Sequence, residues 1–189
     1  MIIVQQDPLA SWWKGDWLRL VVVLFATIYF ASYAYHYDDW HLIDSVNLLV
    51  HEAGHLVFVP FDDLLHILGG SIFQVLFPCV YVGYFYVHRE FFSASLLIFW
   101  VGQNLINVSV YAADAIAMDL PLLGGDTLAH DWHNALAMTN LLRYTDPIST
   151  GLYDLGVFVI CVAVCASIIT SQMHIPLARK SREIQLQNL

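Results

Sequence analysis

His51-Glu52-Ala53-Gly54-His55 sets two imidazoles and a carboxylate within five residues of a run that reads as helix. One helical turn brings His51 and His55 onto a common face, where both can meet a single divalent cation. Glu52 is left beside them to hold and deprotonate a water. His-Glu-x-x-His on a helix is the pattern of zinc-dependent hydrolysis, in which the metal lowers the pKa of water towards about 7 and the glutamate takes its proton. The run lies inside an apolar stretch, and ionisable side chains at membrane depth are costly enough that their presence argues for function.

Two ligands leave a catalytic zinc short of the three protein ligands it usually has. His130, Asp131, His133 and Asp114 are the candidates for the third, because the connection that carries the first three leaves its helix near Asp114, at about the depth of the His51–His55 turn. His130 is the expected ligand: a neutral imidazole binds zinc strongly, and the adjoining Asp131 can orient a neighbouring histidine. Asp114 is the rival, with Asp131 and His133 as further candidates for metal binding or for support behind the ligands. Asn104, Asn107, Tyr111 and Asp114 follow steps of three and four, so they form one polar face that must point inward. Asn104, Asn107 and Tyr111 are expected to bind substrate, to hold the ligands by hydrogen bonds from behind, or to stabilise the oxyanion formed during hydrolysis, with hydrogen bonding between helices as the structural alternative for the two asparagines and Asp114.

These residues require a scaffold that keeps them at membrane depth. Hydrophobic residues make up 59% of the 189-residue chain and mean hydropathy is +0.63, more than a soluble domain of this size needs. A hydrocarbon core takes roughly 20 apolar residues per helix. Five stretches qualify: about Trp17 to Tyr35, His41 to Pro60, Leu64 to Val87, Phe91 to Met118 and Leu152 to Met173. The expected fold is therefore all-α, a polytopic membrane helix bundle of about five transmembrane helices forming a single transmembrane domain over residues 1–189. A re-entrant or interfacial helix is expected within the 119–150 connection, capped by Asp126 or Thr127 and running towards Arg143. Trp12, Trp13 and Trp17 read as an interfacial anchor, and the first apolar segment as a retained span rather than a cleaved signal. Gly69-Gly70 either kinks its helix or admits another backbone.

Charge sets further bounds. A net charge of −9 and the lack of a basic stripe exclude nucleic acid as a partner. Cys79, Cys161 and Cys165 lie in apolar stretches and read as packing residues. His36, His41, His66, His88 and His174 fall near span ends or alone on apolar faces and receive no role. Five spans put the flanks of the bundle on opposite sides. Lys14, Arg19 and Arg143 then fall on one side and Arg89, Arg179, Lys180 and Arg182 on the other, which leans towards a cytoplasmic C-terminal flank.

A HEAGH run inside an apolar helix of a small polytopic chain resembles the site-2 protease family of intramembrane zinc metalloproteases. The resemblance implies zinc, with His51 and His55 as ligands and Glu52 as base. The third ligand of that family is an aspartate in an Asn-Pro-Asp-Gly setting. This chain instead has Leu120-Pro121-Leu122-Leu123-Gly124-Gly125-Asp126, so that ligand does not carry over.

The expectation is a zinc metalloprotease of an integral membrane, the bacterial inner membrane, that cleaves membrane-associated protein or peptide substrates. Its partners would be the lipid bilayer, such a substrate and a larger membrane complex. Zinc-water chemistry attacks any suitable carbonyl, so hydrolysis of lipid amides or esters is the alternative within the same class. A non-catalytic metal-binding subunit of a membrane complex is the alternative outside it. Haem clamped by His51 and a histidine of another helix is a further alternative that this spacing does not favour.

Overall fold

The computed structural model describes residues 16–120 and 130–173, and among these every regular element is helical. The helices are α1 (Trp17–Tyr35), α2 (Leu42–Phe58), α3 (Asp63–Val87), α4 (Phe91–Ala113), α5 (Asp131–Met138) and α6 (Thr145–Ser171), with a 3₁₀ turn at Leu142–Tyr144 before α6. Short polar residues start α1 and α3. Asp16 accepts the Arg19 N–H at 3.2 Å and Asp62 accepts the Leu65 N–H at 2.8 Å, each taking up a donor that the first turn leaves free. Trp12, Trp13, Asp126, Thr127 and His174 lie outside the described residues. The helix expected in the 119–150 connection is α5, and its N-cap is His130.

Four helices, α1, α3, α4 and α6, are long and apolar enough to cross a membrane. Exposed Leu24, Phe25, Ile28, Val80, Phe158 and Ile169 give α1, α3 and α6 the apolar exterior that a lipid surround requires. Of the four, α4 is the most buried. It meets α6 at a glycine crossing, where a Cβ on Gly102 would lie 2.8 Å from the Gly156 carbonyl oxygen and a Cβ on Gly156 would lie 2.7 Å from that of Gly102. Small residues that let backbones approach in this way are what holds helices together where lipid removes the hydrophobic drive.

The second apolar stretch departs from the expectation of five crossings. With 17 residues, α2 is about 25 Å long, short of a core of about 30 Å. Its direction is the stronger finding. Arg19 lies over the ring of Phe92, Phe30 stacks on Phe99, and Tyr33 receives the Asn107 amide, so α1 and α4 run parallel. Gln74 bonds Asn107 and Phe77 packs on Trp100, so α3 runs against α4. Gly54 faces Gly69 and Gly70 while His55 reaches the His66 carbonyl, so α2 runs against α3 and hence along α1 and α4. Two consecutive helices with the same sense cannot both cross. The ring of His41, at the start of α2, lies 4.6 Å from that of Tyr33 near the end of α1. Thus α2 begins beside the last turns of α1, and the helices fit to cross are α1, α3, α4 and α6.

A candidate metal centre

The four polar side chains of one α2 stripe, Asp44, Asn47, His51 and His55, are spaced by three, four and four residues and face the bundle. Each meets a partner there. Asp44 Oδ1 accepts the Tyr33 hydroxyl at 2.8 Å and the Gln103 and Asn107 amides at 3.1 Å, and Oδ2 accepts the His41 N–H at 2.8 Å. Asn47 donates to Gln103 at 2.9 Å and accepts the Trp100 indole N–H at 2.9 Å. Asn107 Oδ1 accepts from the Gln74 amide nitrogen at 2.7 Å, which turns the Gln74 oxygen towards His51 Nδ1, 3.2 Å away. A buried carboxylate and buried amides are tolerated only when satisfied in this manner. The result is a continuous chain of hydrogen bonds from α1 to His51.

That chain fixes the chemistry of the imidazoles. The Gln74 oxygen takes the His51 Nδ1–H, and the His66 backbone carbonyl takes the His55 Nδ1–H at 3.0 Å. In neutral rings each Nε2 then presents a lone pair. Both point at one atom: His51 Nε2 and His55 Nε2 each lie 3.1 Å from Asp131 Oδ2. The three ligand atoms all fall within 4.8 Å of one another. Lone pairs converging at such distances repel unless a cation lies among them, either protons on the rings or a metal ion. A tetrahedral site with bonds of 2.0–2.1 Å has ligand-to-ligand edges of about 3.4 Å, close to the 3.1 Å of the two edges that join the histidines to Asp131. Burial acts to raise the Asp131 carboxyl, and the contacts of His51 and His55, which lower it while those rings carry an Nε2 proton, outweigh burial and hold the group below the ordinary carboxylate range.

The backbone of α3 makes room for this arrangement. A Cβ on Gly70 would run into His51 Nε2 and lie 2.6 Å from His55 Nε2, so glycine is the residue that lets α3 press against both rings. Of the two roles open to Gly69-Gly70, close approach is the one realised, within an unbroken α3.

Asp131, and not the expected His130, is the residue brought to the two histidines. His130 is buried at the α5 N-cap, with Nδ1 accepting the His133 N–H at 3.4 Å and Nε2 donating to Asp114 Oδ2 at 2.9 Å. The cap turns its ring towards the end of α4, and the next residue, in the first helical turn, faces α2. Asp114 is likewise occupied: it accepts the Asp119 and Leu120 N–H groups, both at 3.0 Å, besides His130. Burial acts to raise this carboxyl as well, and those donors bring it below the ordinary range. His133 Nδ1 donates to the Ala115 carbonyl at 2.8 Å, and the Trp132 indole donates to Ser71 at 3.1 Å, so α5 is pinned to α4 and α3 on both sides of Asp131.

The remaining expected residues divide. Glu52 is exposed and has no hydrogen-bond or ion-pair partner among the described residues. The Tyr111 ring stacks on His51 at 6.0 Å, with its hydroxyl similarly uncommitted. Asn107 supports His51 through Gln74. Asn104 is fully buried and donates to the Trp100 carbonyl of its own helix, away from the cluster. Gln74, Asp44, Asn47 and Gln103 are the residues that sequence reasoning missed. The α2 stripe was the available signal for Asp44 and Asn47. Comparison with family models, curated proteins and solved structures gives no match to this chain.

Proposed function

We propose that the protein is a membrane-embedded zinc hydrolase, a metalloprotease distantly resembling the site-2 proteases, with His51, His55 and Asp131 as ligands and Glu52 as general base. The observation that carries this reading is that His51 Nε2, His55 Nε2 and an Asp131 oxygen gather within 4.8 Å of one another, with both Nδ1–H groups already committed elsewhere. Two imidazoles and one carboxylate suit zinc, and also iron(II). An uncommitted glutamate between the two histidines favours hydrolysis. Bound zinc would supply Lewis acidity and a water acidified towards a pKa of about 7. Glu52 accepts the proton from the attacking water and delivers it to the departing amine. Tyr111, stacked on His51, would donate its hydroxyl to the developing oxyanion. Asp131 neutralises part of the cation's charge, and Gln74 and the His66 carbonyl keep both rings in the ligating tautomer.

Elemental analysis of detergent-purified protein tests the centre. About one zinc per chain in wild type, lost in both His55→Ala and Asp131→Ala, is the expected result. A metal-free wild type, with the cluster held by protonated histidines instead, overturns it. Glu52→Gln should retain zinc and lose cleavage of membrane-reconstituted peptide substrates by at least about a hundredfold, the scale of general-base catalysis.

A further inference from the structure

The helix directions sort the chain's cations unevenly. Arg143, between α5 and α6, lies at the end of the bundle that holds His51, His55 and Asp131. Arg89, in the link between α3 and α4, and Arg19, over Phe92, lie at the opposite end. With four crossings, the sequence entering α1 and the sequence leaving α6 both flank that opposite end. By sequence, Lys14 stands three residues before α1 and Arg179, Lys180 and Arg182 within eleven residues after α6, so six of the seven Lys and Arg residues are assigned by chain order to the Arg19–Arg89 end. An excess of Lys and Arg in short segments near span ends marks the cytoplasmic side. The near tie obtained with five crossings disappears.

We propose that the Arg19–Arg89 end is cytoplasmic and that the His51–His55–Asp131 centre opens on the non-cytoplasmic face. Its catalytic meaning rests on the hydrolase reading, whereas the orientation itself does not. The substrates it implies are membrane proteins whose non-cytoplasmic juxtamembrane segments enter the site, and peptide bonds on the cytoplasmic side are out of reach. Asp38, Asp39, Asp62, Asp63 and Asp119 are exposed at the same end, a negative rim that disfavours acidic segments.

Cysteine accessibility tests the orientation without reference to metal or activity. Asp63→Cys, His88→Cys and Lys14→Cys are introduced singly into the full chain with Cys79, Cys161 and Cys165 replaced by alanine, and intact cells are treated with a membrane-impermeant maleimide before and after permeabilisation. Asp63→Cys should label in intact cells, with His88→Cys and Lys14→Cys labelling at least fivefold more after permeabilisation. The reverse pattern overturns the orientation. Labelling of Lys14→Cys together with Asp63→Cys overturns the four crossings, and equal labelling of Asp63→Cys and His88→Cys overturns a single orientation. A fluorescent protein that matures only in the cytoplasm, fused after Leu189 of the otherwise unaltered chain, should be bright. A dark fusion at normal expression overturns the proposal even where a cysteine variant fails to fold. Labelling and zinc content can fail independently, so the two readings are separable.

Discussion

Gln74 donates nothing to the cation site, yet it decides which nitrogen of His51 is available there. Gln74→Leu should weaken zinc binding about 10- to 100-fold, the usual effect of removing a residue that orients a ligating histidine. Gln74→Glu, which keeps an acceptor facing Nδ1–H, should recover much of it; zinc titration of purified protein measures both. His130→Ala offers the opposite contrast. It frees Asp114 and removes the α5 cap at a cost of about 1 kcal/mol, but it leaves all three ligands, so zinc should be retained near one per chain. Why Asp131 rather than His130 faces the histidines was not legible in the sequence. Periodicity says which helix face a residue takes, whereas a cap residue stands outside that periodicity and points where its hydrogen bonds take it. The pairing of His51 with His55 was legible, because both lie within one helix and four residues apart.

At the scale of the helices, glycines divide into those whose hydrogen is a packing surface and those that are only spacers. Gly70→Ala pushes a methyl into both imidazoles and should abolish zinc binding, whereas Gly83→Ala meets nothing within 4 Å and should leave it unchanged. Gly102→Ala and Gly156→Ala each force α4 and α6 apart and should cost about 1–3 kcal/mol, read as a lower unfolding midpoint in denaturing detergent. Helix number and apolar character were readable from the sequence because each needs only local composition; α2 matched the expected stretch to within two residues at each end, whereas α6 starts seven residues before Leu152 and α4 ends five before Met118. The direction of α2 was not readable. It is set by tertiary contacts such as Tyr33 with Asp44 and Gly54 with Gly69, and a hydropathy profile cannot distinguish a helix that crosses from one that starts where its predecessor ends.

Across the whole molecule, Asp44 joins α1, α2 and α4 at a single carboxylate. Asp44→Ala removes the acceptor of the Tyr33 hydroxyl and of the Gln103 amide and leaves the Asn107 amide only its bond to Tyr33. At about 1–3 kcal/mol for each unsatisfied group, it should lower the unfolding midpoint further than either Gly102→Ala or Gly156→Ala. Asp131 and His51, by contrast, lie 80 residues apart in sequence and belong to helices that those side chains join at the site. A cation shared between them acts as a removable cross-link on the fold. At a free concentration a hundred times its Kd, it adds about 2.7 kcal/mol to the folded state by mass action. A chelator should therefore lower the melting temperature of wild type while leaving Asp131→Ala unmoved. It should also raise amide hydrogen exchange across Asp131–Met138 before any other helix loosens, so that α5 reports the occupancy of the centre.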